Sequence, residues 1–211
     1  MELFDALVRV AEELLGPNGC PWDKKQTFQS LQPYVLEEAH EVIEAVDLGD
    51  DPKIVEELGD LLYTVLFYGK LAEKTGRFSL EQIVSAIKEK LIRRHPHIFG
   101  DVKVKDVDEI IANWEKIKKQ EKVEKSPLEE IPPTLPSLLK GQKLLKKLRK
   151  MGFDPLGDKQ EEKLSEEDIG KRLLLLLSQA NYSEIDAESA LRRAMFRLAD
   201  RFEEWKSLQQ N

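Results

Sequence analysis

Two pairs of carboxylates carry the strongest chemical signal in the chain. Glu38 and Glu41 stand three residues apart, as do Glu57 and Asp60. On a helix that spacing puts both members of a pair on one face. The pairs are separated by Gly49-Asp50-Asp51-Pro52, a stretch short enough to return one helix antiparallel along the other. Packed that way, four side chains aim their oxygens at one point, the donor set that hard cations such as Mg²⁺ prefer. Asp60 leads directly into the apolar run Leu61–Tyr68, where a carboxylate is costly to bury unless something neutralises it. Amphipathic helices of acidic proteins also produce four solvated acids freely, and spacing alone leaves both readings open.

A cationic group follows. Lys90 and Arg94 are four apart and share a helix face, with Arg93 beside them and His95 next. Arg as a fork and Lys as a point charge suit phosphate oxygens. A basic last turn is equally what a helix dipole favours. The other candidates are weaker. His40 sits among acids, and His95 and His97 flank Pro96 with no second cluster to complete a zinc site. Cys20, the single cysteine, lies beside Pro21 and Trp22 without an evident base. Trp114 reads as packing or as a stacking platform for a base. No Walker-type glycine loop is present.

The elements that must position these groups are helical. Apolar periodicity predicts helices over about Leu3–Leu15, Ser30–Leu48, Lys53–Lys74, Ser79–Arg94 and Asp108–Lys122. Pro33 suits the first turn of the second, Asp51-Pro52 reads as an N-cap and N1 proline, and Ser79-Leu80-Glu81-Gln82 as a capping box. The third helix is greasy on every face, so it is expected to be central or to lie in a subunit contact. Residues 126–137 hold Pro127, Pro132, Pro133 and Pro136 and read as a stiff linker. Helices near Leu138–Met151, Glu166–Ala180 and Ala187–Leu208 follow. The reading is all-α, with a domain at 1–125, a linker at 126–137 and a smaller helical region at 138–211.

Composition bounds the function. The 211 residues hold 40 acids against 33 bases. Residues 1–125 carry 25 acids and 18 bases, leaving 15 of each beyond them. An acidic first half argues against broad nucleic-acid binding, which needs a basic footprint. No apolar stretch approaches the roughly 20 residues of a membrane span, and the start of the chain lacks the pattern of a secretory leader. A soluble, cytoplasmic protein is expected.

Taken in order, several segments resemble the MazG family of nucleoside triphosphate pyrophosphohydrolases, among the all-α NTP pyrophosphatases. They are Gly19-Cys20-Pro21-Trp22-Asp23, Leu36–Val42, Glu56–Leu62, Lys90–Phe99 and Asn113–Lys118. The resemblance covers most of the first 155 residues. It implies a helical bundle in which Glu38, Glu41, Glu57 and Asp60 hold Mg²⁺, with Mn²⁺ as an alternative. It implies hydrolysis of nucleoside triphosphates to the monophosphate and pyrophosphate. Lys90, Arg93 and Arg94 then face phosphate, Trp114 lies against the base, and Glu37 or Glu38 is placed to take a proton from the attacking water. A homodimer is implied as well.

The second half departs from the family pattern. Lys90–Arg94 has an echo in Arg197–Arg201, offset by 107 residues. Glu57–Asp60 has a fainter one in Asp168-Ile169-Gly170-Lys171, where lysine replaces the aspartate. The helix that would supply a second E-x-x-E is reduced to the stretch around Gly157–Leu164. Residues 138–211 therefore read as a degenerate repeat, and the chemistry rests on residues 1–125. Two alternatives follow: a nucleotide-binding or regulatory module with weak catalysis, and a narrower pyrophosphohydrolase acting on dUTP or phosphoribosyl-ATP.

Overall fold

Helices α2 (Gln32–Leu48) and α3 (Asp51–Lys74) form the most extensive helix pair among the described residues. The turn between them explains their close antiparallel return. Gly49 adopts a left-handed φ of 67°, the conformation glycine reaches without steric cost. That places its N–H on Val46 O at 3.1 Å and the Asp50 N–H on Ala45 O at 3.2 Å. Asp50 then caps α3, its side chain accepting from the Lys53 N–H at 3.2 Å. The cap thus lies one residue earlier than the Asp-Pro pair suggests, and Pro52 occupies the second helical position.

The computed structural model describes residues 2–121, 129–157 and 163–209, and every regular element among them is helical. The expected end of the fifth helix at Lys122, the start of the proline-rich segment and most of the Gly157–Leu164 stretch lie outside the described residues. The chain divides into two compact units, Met1–Lys118 and Lys119–Asn211.

In the first unit α3 is central. It packs on α1 (Glu2–Leu15), on α2 and on α4 (Leu80–Arg94). Leu15, Leu31, Phe67 and Leu71 make the core, flanked by Phe28, Tyr63 and Tyr68. The Tyr68 hydroxyl donates to Phe28 O at 3.0 Å, tying the loop before α2 to α3. The Ser79 capping box is complete, with Gln82 N–H on Ser79 Oγ at 3.1 Å and Ser79 N–H on Gln82 Oε1 at 2.8 Å. Pro96 does end α4, but it also opens a four-residue helix, α5 (Pro96–Phe99), before α6 (Val107–Gln120).

In the second unit α7 (Ser137–Lys150) packs on α9 (Ala187–Gln209), with α8 (Glu166–Tyr182) between them in sequence. Ile131, Leu144, Leu148, Phe153, Met195 and Phe202 form its core. Gly152, at φ 83°, turns the chain so that the Phe153 N–H meets Leu148 O at 3.0 Å and the ring enters that core. The described part of the proline-rich segment belongs to this unit: Ile131 is buried, Leu135 packs beside it, and Glu130 pairs with Lys147. Prolines restrict the backbone there, so anchoring one isoleucine orders the segment at small entropic cost.

Candidate active site

The α2–α3 pairing brings Glu38, Glu41 and Glu57 together. One carboxylate oxygen from each lies within 4.8 Å of the others. The register follows from the tight turn: with α3 starting two residues after Gly49, its first two turns run back beside the last turns of α2. Glu57 is the buried member, 8% exposed. Asp60, which leads into the apolar run, is exposed. Spacing of three fixes a shared side of the helix but leaves up to about 60° between two side chains, and that rotation turns Asp60 outward. Its charge still acts on Glu38.

The electrostatics are those of crowded acids. Burial pushes the Glu38 carboxyl above its usual range, and Asp60, Glu41, Glu57 and Glu37 add to the effect. Burial raises the Glu57 carboxyl in the same way, with Glu41 and Glu56 beside it adding to the effect. Glu38 Oε2 is buried without any hydrogen-bond partner. An orphaned carboxylate oxygen among crowded acids is the donor set a hard divalent cation would satisfy, so the residues fit one.

One nearby charge escapes sequence inspection. Lys53, in the first turn of α3, bonds Glu44 at 2.9 Å, and its charge also bears on Glu57 and Glu41. The signal was available, since Asp50 capping α3 points residue 53 back toward α2.

A second cluster forms where α4, α5 and α6 meet. The Arg94 guanidinium carbon lies 5.4 Å from the centre of the Trp114 ring, within cation–π range. His95 meets the same indole edge-on at 4.9 Å, and its Nδ1 lies 2.6 Å from Leu91 O. His95 and His97 rings are 5.6 Å apart. Lys90 and Arg93 are exposed on α4, as are Glu37 and His40 on α2. Cys20 is a free thiol.

The comparisons with known proteins bear on this arrangement. The family model described as the MazG nucleotide pyrophosphohydrolase domain matches residues 26–99, a span holding both carboxylate pairs, Lys90 and Arg94. The nucleoside triphosphate pyrophosphohydrolase of Escherichia coli (strain K12) is 38% identical over 229 residues, covering 97% of this chain and 87% of that protein. The chain belongs to the MazG family. The nucleoside triphosphate pyrophosphohydrolase/pyrophosphatase MazG of Thermotoga maritima is 39% identical over 224 residues, covering 98% of this chain and 86% of that one. Uncharacterized protein YabN of Bacillus subtilis is 50% identical over 145 residues, which is 68% of this chain but 30% of YabN. This MazG chain thus spans under a third of that relative. Trp114 lies beyond the matched 26–99 span. No described helix is long and apolar enough to cross a membrane.

Proposed function

We propose that the chain hydrolyses nucleoside triphosphates to the monophosphate and pyrophosphate, as a cytoplasmic Mg²⁺-dependent enzyme whose chemistry lies in the first unit. The observation that carries this reading is the convergence of Glu38, Glu41 and Glu57 around a buried carboxylate oxygen with no partner. The names of the E. coli and T. maritima relatives support the substrate class.

Glu38, Glu41, Glu57 and Asp60 would hold the cation. Bound there, a divalent ion supplies Lewis-acid polarisation of the phosphoryl oxygens and a more acidic water. Glu37 or Glu38 takes the proton of the attacking water; burial first, and then the neighbouring acids, raise the Glu38 carboxyl above its usual range. Lys90, Arg93 and Arg94 set positive charge against the departing pyrophosphate. Trp114, stiffened between Arg94 and His95, lies against the base.

We read the second unit as a degenerate copy of the first. Arg201, at the position that echoes Arg94, reaches the Pro155 carbonyl of its own unit at 3.5 Å. A homodimer through the first unit is supported by a stripe of exposed apolar residues on α3, Val55, Leu58, Leu62 and Val65, and by exposed Ile43 and Val46 on α2.

The test is product analysis with each nucleoside triphosphate, with Mg²⁺ and with EDTA. Metal-dependent release of monophosphate plus pyrophosphate is expected; diphosphate plus inorganic phosphate would show that a different bond is cut.

A further inference from the structure

Helix α7 carries six cations, Lys140, Lys143, Lys146, Lys147, Arg149 and Lys150, and no acid among its 14 residues. Lys140, Lys143, Lys147 and Lys150 follow one another at intervals of three, four and three, so they form one stripe about 15 Å long, bordered by Lys146. Like charges at such intervals repel and weaken the helix that bears them. Glu130 pairs with Lys147. Lys143 and Lys146 are exposed, and among the described residues no carboxylate pairs with either.

An aromatic ring stands in the same patch. Helices α7 and α9 run side by side in one direction: Ser137 meets Glu188 and Gly141 lies against Met195 near their starts, while Phe153 meets Phe202 farther along. Phe196, next to Met195, is 54% exposed, and the Lys140 Nζ lies 5.8 Å from its ring centre, within cation–π reach. The charges of α9 add little here. Arg192 and Arg193 act on Asp186, Glu188 accepts from Ser137, and Asp200, Glu203 and Glu204 come later, toward the Lys147 end. Positive charge is therefore densest on α7 between Lys140 and Lys146, beside Phe196.

We propose that this face of the second unit binds single-stranded nucleic acid, with backbone phosphates along the lysine stripe and a base stacked on Phe196. The stripe is as long as about four phosphates at the 3.4 Å rise of a stacked strand, the lower end of a single-strand site. An exposed ring among cations suits a strand whose bases are open; a duplex keeps its base faces inside its own stack. A bilayer would need an apolar face beside the cations. That of α7, Leu144 and Leu148, is wholly buried, leaving Leu138 and Leu139 of the first turn. The surface is built by the second unit alone and is independent of the catalytic reading.

The test titrates the full chain, in EDTA, against a fluorescein-labelled oligothymidylate about twelve nucleotides long and follows its anisotropy. Binding is expected, with log Kd rising against log salt at a slope of about 2.8, from four phosphates at about 0.7 each. Lys143→Gln combined with Lys146→Gln should lower that slope by about 1.4. Phe196→Ala should weaken binding roughly 5- to 150-fold and leave the slope alone, because stacking releases no counterions. All three side chains are exposed, so the melting temperature should hold. Lys88→Gln, at an exposed lysine of the first unit, should change nothing. No binding at low salt, a slope untouched by the Lys143 and Lys146 changes, or an equal effect of Lys88→Gln would overturn the proposal. Wild-type affinity in Phe196→Ala, or a duplex held as tightly as the single strand, would reduce the contact to charge and dismiss the stacked strand. Phosphatidylserine vesicles bound in preference to the oligonucleotide would give the surface to a membrane and equally refute it.

Discussion

Glu73 accepts the Leu80 amide at 2.8 Å on one carboxylate oxygen while Lys70 donates to the other at 2.8 Å. The last turn of α3 is thereby stapled to the first turn of α4, and Lys70 carries the tie on to Glu12 of α1 at 2.7 Å. The Lys70 bond chiefly, and then the Leu80 amide, hold the Glu73 carboxyl below its ordinary value of 4.5. A depressed folded-state pKa contributes stability that is fully present above the unfolded value and is lost as pH falls through the folded one. Glu73→Gln should therefore cost about 1 kcal/mol at pH 7, a modest figure because the carboxylate is partly solvated. The gap from wild type should close in acid, below pH 4.5. Urea titrations at pH 7 and pH 3 measure it, and an unchanged gap would refute the assignment.

Removing an acid from the crowded cluster should separate stability from activity. Glu41→Gln and Asp60→Asn are expected to reduce turnover by about 100-fold or more while leaving the circular dichroism spectrum intact. In EDTA, Glu57→Gln should melt higher than wild type, because it removes a carboxylate whose charge both burial and Glu41 oppose. Wild type should gain about 2.7 kcal/mol from Mg²⁺ at a hundred times its Kd, and Glu57→Gln little. Full activity in either Glu41→Gln or Asp60→Asn would dismiss the four-carboxylate site.

The Arg94–Trp114 contact yields a different signature. Trp114→Ala should lower kcat/KM by roughly 10- to 100-fold, the worth of one stacked base, and flatten the ranking of nucleotides. Arg94→Lys keeps the charge but loses the flat guanidinium, so it should perturb Trp114 emission as well as phosphate binding. A Trp114→Ala enzyme with wild-type KM for every nucleotide would place the base elsewhere.

In the second unit Leu144 and Phe202 are essentially inaccessible. Leu144→Ala should destabilise that unit by about 2–5 kcal/mol. If the chemistry belongs to the first unit, turnover at 25 °C should hardly change even as a second thermal transition moves to lower temperature. A parallel loss of both would show that the units depend on one another.

The helices were legible because each has a start signal and a period: Ser79 with Gln82, Pro33 in a first turn, Gly49 at an end. That Glu38 and Glu41 come close to Glu57 followed from the same signals, since a four-residue turn allows little but an antiparallel return. Depth was not legible. Glu57 and Asp60 share a side of α3, yet one is buried and the other exposed, and only the rotation of the packed helix decides which. Asp50 rather than Asp51 caps α3 because Gly49 sets the chain direction one residue early. Nor does a run of prolines reveal that Ile131 among them enters a core, since burial there depends on Phe153 and Phe202, which lie far along the chain.

Glu38, Glu41 and Glu57 of the α2–α3 pair lie within twenty residues of one another, joined by a turn closed within Ala45–Lys53. Their meeting requires only short loop closure, the kind of contact that forms early and fast. On a ribosome, the carboxylate trio can assemble before the later helices have been synthesised. Cation capture would then act on the nascent chain, favouring the hairpin on which α1 and α4 afterwards condense.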